Sequence, residues 1–278
     1  MEDRNNVLAE IHAIQLEMLK AVDVLCEKYN IRYSIYCGTL LGAVRHGGFI
    51  PWDDDIDLAM PLQDYRKFLQ HADELPAGLF CVHRKNTRDC SFLWLKIMAE
   101  GTTFMNKNGV EIDVPQGLSL DIYPMIGTPD SAFGKKIQKG LLFIAVRLQR
   151  AADYKVLHLP GCARKIIAHM PEVLRLAAIE FLLYFSLINP ENCENIGTID
   201  SVSFEGKFKR KDWSEMTKLR FEDGYFPAPV QYDRILRRMY GNYMKLPPEE
   251  ARTGHFSDDK IVDMHRDYRL YRKELLGK

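Results

Sequence analysis

Apolar residues recur every three or four positions from Val7 through Ile11, Ile14, Met18, Val22 and Leu25 to Tyr29. That spacing predicts an amphipathic helix over 6–29. The period then changes. Tyr33, Ile35 and Tyr36 read as a short strand, Gly38-Thr39 breaks it, and the small-residue run Leu40–Val44 starts a helix. After the loop 47–52 come Asp53, Asp54, Asp55 and Asp57, with Leu58-Ala59-Met60 following and no turn signal between. The acids are therefore expected on a strand that runs into the core. Pro61 opens a helix over 62–73, and β-rich segments follow at 79–84, 92–99 and 102–106, read as strands flanking that core. A strand over 117–124 ends at Pro124. Helices are predicted at 133–151 and 172–188, a hairpin or extended arm at 219–230, and a helix at 230–240. Tyr240–Pro248 then gives a glycine cap and a rigid proline turn.

Side chains on a strand alternate faces, so Asp53, Asp55 and Asp57 are expected to share one face at roughly 7 Å per step, with Asp54, Ile56 and Leu58 on the other. Three carboxylates so close repel one another strongly unless solvated or neutralised by a hard cation. Oxygen-only ligands suit Mg²⁺ or Mn²⁺, with phosphate completing the shell. A solvated acidic turn is the plainer alternative, and the alternation of acids with apolar residues argues against it. Asp121 sits among Leu118, Leu120, Ile122 and Tyr123, where an unpaired acid is costly. Lys96 lies in a segment apolar on both sides and needs either a partner, such as a bound phosphate, or a route to the surface.

The string Gly38–His46, continuing through Gly48–Asp57, closely resembles the LicD family, as do Asp121-Ile122-Tyr123-Pro124 and Tyr240–Pro248. The resemblance touches most of the chain outside roughly 130–195. It implies an α/β (α+β, mixed-sheet) nucleotidyltransferase-like core with a helical insertion, divided as 1–128 catalytic core, 129–198 basic helical insertion and 199–278 C-terminal segment completing the site. It also implies Mg-dependent transfer of a phospho-substituent, phosphocholine or a polyol phosphate, from a CDP-activated donor to a glycan or lipid-linked saccharide hydroxyl, with release of CMP. In that scheme Asp55, Asp57 and Asp121 hold the metal, Asp121 being ligand or general base, and Asp53 supports them. Gly38 and Thr39 contact phosphate through backbone N–H groups and the hydroxyl. Arg45, His46, Lys96, Arg252 and His255 face the anionic donor, and Tyr240 and Tyr243 are candidates for donor contact, with packing onto the core as their alternative. Two other readings use the same residues: a nucleotidyltransferase moving NMP from an NTP, and a non-catalytic glycan- or nucleotide-binding module.

Composition narrows the field. Lys and Arg number 38 against 38 Asp and Glu, so no global charge points to nucleic acid. The start lacks the pattern of a signal peptide, no uncharged apolar run is long enough to span a bilayer, and six scattered cysteines lack zinc spacing. A cytoplasmic protein with reduced thiols is expected. Neutrality hides a dipole, because residues 131–170 carry eight cations and one acid, Asp153. The very apolar helix beside this basic stretch fits a core-packed subdomain, the preferred reading. Peripheral contact with the inner membrane surface is the other.

Overall fold

The computed structural model describes residues 2–156, 161–199, 208–254 and 259–277. A long helix α1 (Glu2–Tyr29) leads into β1 (Ser34–Ile35), α2 (Cys37–Arg45), β2 (Asp57–Pro61), α3 (Leu62–His71), β3 (Leu79–Val82), β4 (Leu95–Ala99), β5 (Thr103–Asn106) and β6 (Ser119–Thr128). Four helices follow: α4 (Ala132–Gln149), α5 (Ala151–Val156), α6 (Cys162–Ala168) and α7 (Glu172–Ser186). The chain closes with β7 (Asn195–Thr198), β8 (Phe208–Lys209), β9 (Met216–Phe221), β10 (Gly224–Pro229), α8 (Tyr232–Tyr240), β11 (Lys260–Asp263) and α9 (Tyr268–Leu276).

The main sheet is mixed, in the order β1-β2-β6-β4-β3, with β7 on the far half of β6 and β8 beyond it. β2 runs parallel to β6, whereas β1, β4 and β7 pair antiparallel with their neighbours. Leu58 and Met60 of β2, Leu120 and Ile122 of β6, and Leu95 and Ile97 of β4 form one face, each fully buried. They share a core cluster with Met18, Leu19, Val22 and Leu25 of α1, so the predicted helical stripe covers the predicted apolar sheet face. Each such side chain contributes about 1.5–3 kcal/mol by leaving water. Asp57, Asp121 and Lys96 alternate onto the opposite face.

α4 and α7 carry a second core of Leu142, Ala145, Leu148, Ile179 and Leu183, seated on Ile126, Leu62 and Leu93. The buried Gln138 amide clamps this layer, donating to the carbonyls of Gly127 and Ser186 at 2.8 Å each. The hairpin β9–β10 brings Phe221 and Phe226 against the main core. None of the six cysteines is in a disulfide.

Three local expectations are corrected. Residues 53–56 are not in the strand, which starts at Asp57, because β1 ends at Ile35 and helix α2 begins at Cys37, leaving them no strand partner on that side. Gly38 and Thr39 do not interrupt the chain before a helix; they are its first turn. β5 does not join the main sheet. It pairs with β11, more than 150 residues later, in a ribbon for which no local pattern exists.

Candidate functional site

Pairing register builds the centre of the site. Asp57 of β2 lies opposite Asp121 of β6, which in turn lies opposite Lys96 of β4, so two acids and a cation form one row across three strands. The Lys96 ammonium donates to both Asp121 oxygens, at 2.6 and 2.8 Å. The Trp94 indole N–H adds a third bond to the same carboxylate at 2.9 Å. Lys96 therefore does not snorkel to the surface. Its partner is the acid across the ladder.

Asp57 is only 8% exposed. Its carboxyl is held well above the usual range by burial and then by the charges of Asp55, Asp121 and Asp53, with Lys96 pulling weakly the other way. Although Asp53 and Asp55 lie outside the strand, they therefore still act on Asp57. The Tyr123 hydroxyl is pushed up by burial and by Asp57 and Asp121, so it remains a protonated donor beside them.

Helix α2 starts against this row. The Asp57 N–H donates to Thr39 Oγ1 at 2.9 Å and the Tyr36 N–H to the Asp57 carbonyl at 2.9 Å. The Thr39 hydroxyl is buried and accepts this bond, so its side chain positions Asp57. The first-turn N–H groups of an α-helix have no intrahelical partners, and the positive end of the dipole favours an anion there. The Asp53 carboxylate occupies this ground: a Cβ on Gly38 would stand 2.5 Å from its Oδ2. Gly42 lets the same helix approach the loop, since a Cβ there would meet the Gly48 carbonyl at 2.4 Å.

Two residues of α1 hold the acidic segment from behind. The fully buried Gln15 amide of α1 donates to the carbonyls of Asp54 (3.0 Å) and Ser119 (3.1 Å), tying the approach to β2 to the start of β6. His12 bonds the Asp53 carbonyl at 2.7 Å and stacks on Phe49 at 3.9 Å. Burial lowers its pKa, so it is neutral and Nε2 donates. All three bonds go to main-chain oxygens some forty to a hundred residues away, a relation that leaves no trace in spacing.

A second cluster adjoins the first. Arg45 and Arg252 flank the Trp52 ring at 6.0 and 5.4 Å, with His46 edge-on at 6.3 Å. Arg45 donates to the Tyr243 carbonyl and Arg252 to that of Pro247. Burial lowers the Arg45 pKa, with Arg252 repelling it. The Tyr240 hydroxyl joins the two clusters: burial raises its pKa, followed by Cys37, Asp57 and Asp53, and it also acts on Arg45. Tyr243 does not join them. It is buried in the core and donates its hydroxyl to Asp233 at 2.8 Å. His255 lies outside the described residues.

Between Asp55, Asp121, Lys96 and Lys260 a cleft of about 420 Å³ opens. Among the described residues, no three His, Cys, Asp or Glu side chains already converge as a metal cage. The donor set is nevertheless all-oxygen, and burial with mutual repulsion raises its central member, the conditions a hard cation relieves.

Residues 30–138 match the model of the LicD/FKTN/FKRP nucleotidyltransferase domain, and this stretch contains the whole row of Asp57, Asp121 and Lys96. Over this stretch the chain is similar to a LicD-type nucleotidyltransferase domain. The lipopolysaccharide cholinephosphotransferase LicD of Haemophilus influenzae is 26% identical across 92% of this chain and 98% of its own length. A shorter stretch, 17% of the chain, is 46% identical to the human ribitol 5-phosphate transferase FKRP, covering 10% of that protein. A similar stretch is 50% identical to an uncharacterized Rickettsia prowazekii protein, over 18% of its length. The matched stretch ends within α4, so Tyr240, which Asp57 and Asp53 act on, lies outside it.

Proposed function

We propose that this protein transfers a phospho-substituent, choline phosphate or a polyol phosphate, from a CDP-activated donor to a hydroxyl of a glycan. The observation that carries the reading is the row of Asp57, Asp121 and Lys96, set at the start of a helix. Support also comes from full-length similarity to a cholinephosphotransferase and a local match to a ribitol 5-phosphate transferase.

Asp55, Asp57 and Asp121 would hold one or two Mg²⁺ ions, with Asp53 in support. A bound divalent cation supplies neutralisation of charge on the donor phosphates. The chain's own part is positioning, which carries most of the catalysis in phosphoryl transfer. Trp94 fixes the Asp121 carboxylate, and Thr39 and Gln15 fix the backbone that carries the other acids. With a cation on the carboxylate, Lys96 would be available to the donor phosphates. Arg45 and Arg252 take the outer phosphate charge, and Trp52 between them keeps their guanidinium planes fixed.

Thermal stability with Mg²⁺ tests the donor class, because a ligand that binds only the folded state raises the melting temperature by mass action. The expected result is a rise with a CDP-linked donor (CDP-choline, CDP-ethanolamine, CDP-ribitol or CDP-glycerol), dependent on Mg²⁺ and absent with ATP or UTP. A rise confined to nucleoside triphosphates moves the reaction to nucleotidyl transfer.

A further inference from the structure

Helix α7 is apolar nearly all round, but the described residues cover only one side of it. Its buried stripe is Arg175, Ile179, Leu183 and Ser186. At 100° per residue, Val173, Leu174, Phe181, Tyr184 and Phe185 fall on the opposite arc, with Tyr184 81% and Phe181 64% exposed. A helix apolar on both faces is ordinarily enclosed by protein or by lipid. The preferred sequence reading, a wholly core-packed helix, therefore holds for one face only.

The neighbouring helices repeat the pattern. α4 leaves Phe133, Ile137 and Ile144 exposed along one line, beside the exposed Lys136 and beside Arg147, whose guanidinium lies over Phe143 at 4.3 Å. α6 exposes Ile166 next to Lys165. Beside α7, Phe181 and Tyr184 share a cleft of about 780 Å³ with Arg66, Arg84, Lys85 and Trp94. Trp94 is the residue whose indole N–H holds Asp121, so a single side chain separates the exposed aromatic face from the site.

We infer that this helical layer is a membrane-docking surface, with α7 lying in the headgroup region of an anionic bilayer. Exposed aromatic and aliphatic side chains flanked by lysine and arginine are what an interfacial helix requires. Among the described residues no helix is long and apolar enough to cross a membrane, so the contact is in the plane. The charge pattern selects the occupant. A second copy of this chain would bring the same excess of cations over residues 131–170 against itself, whereas anionic headgroups complement it. Such docking would hold the Trp94 side of the site at a surface where amphiphilic glycans are concentrated.

Co-sedimentation of the full chain with vesicles tests the surface, using phosphatidylglycerol or phosphatidylcholine at low and high salt. Binding to phosphatidylglycerol at low salt is expected, weakened by salt and much weaker on phosphatidylcholine. The triple variant Phe181→Ser, Tyr184→Ser, Phe185→Ser should lose it. Reversal of Lys135, Lys136 and Lys139 to Glu should reduce partitioning about 100-fold or more. Absence of binding by the wild-type chain at low salt overturns the inference, as does undiminished binding by either variant. A shift from dimer to monomer in the serine variant without vesicle binding by the parent assigns the face to a second copy instead. Transfer to a water-soluble acceptor is unaffected in every case, so this inference and the proposed reaction fail separately.

Discussion

Asp57→Asn is expected to abolish phospho-transfer while leaving the protein at least as stable as the wild type in the absence of divalent cation. The two halves of that result have one cause. Asp57 is buried against Asp55, Asp121 and Asp53, which hold its carboxyl above the ordinary range, so the ionised group is a burden on the metal-free fold. Asparagine keeps the shape and removes the charge, and the backbone bond to Thr39 does not involve the side chain. Catalysis loses a ligand whose charge stabilisation is worth several kcal/mol, on the order of 10³-fold in rate. Donor turnover and thermal melting in chelator measure the two halves. An Asn variant that unfolds in chelator would make the acid structural and the site assignment wrong.

Lys96→Met should have the opposite profile. The ammonium pairs with Asp121, and both partners are mostly buried, at 21% and 14% exposure. Breaking such a pair leaves an uncompensated charge. Allowing for residual solvent, the loss is about 2 kcal/mol, a fall of roughly 5 °C for a chain of this size. Because the site then lacks its internal counter-charge, Mg²⁺ should raise the melting temperature of the variant more than that of the wild type. An equal or smaller Mg²⁺ effect would place the cation away from Asp121.

Much of this centre was legible in the chain. Asp57 and Asp121 each stand where an apolar alternation admits one acid, and strand periodicity sends both to the same face once the two strands pair. Lys96 betrayed itself in the same way, although its partner depended on register, which spacing within one segment does not specify. The misses share a physical reason. Gln15 acts through backbone groups, and any polar residue on a helix looks the same before the fold is known. Trp94 read as one more apolar strand residue because its polar atom is a single N–H. Tyr243 carried the family motif, yet its hydroxyl goes to Asp233, ten residues earlier. The exposed arc of α7 was hidden by composition: an all-apolar helix looks buried until its neighbours are counted.

The central claim is the bond that breaks, and product analysis reads it directly. The protein, Mg²⁺, a CDP-linked donor and a glycan acceptor are incubated together, and nucleotides and phosphodiesters are followed by phosphorus resonance. The account predicts CMP accumulating in step with a new phosphodiester on the acceptor, with both absent in Asp57→Asn. Pyrophosphate released from a nucleoside triphosphate, with no CMP from any CDP-linked donor, would contradict it.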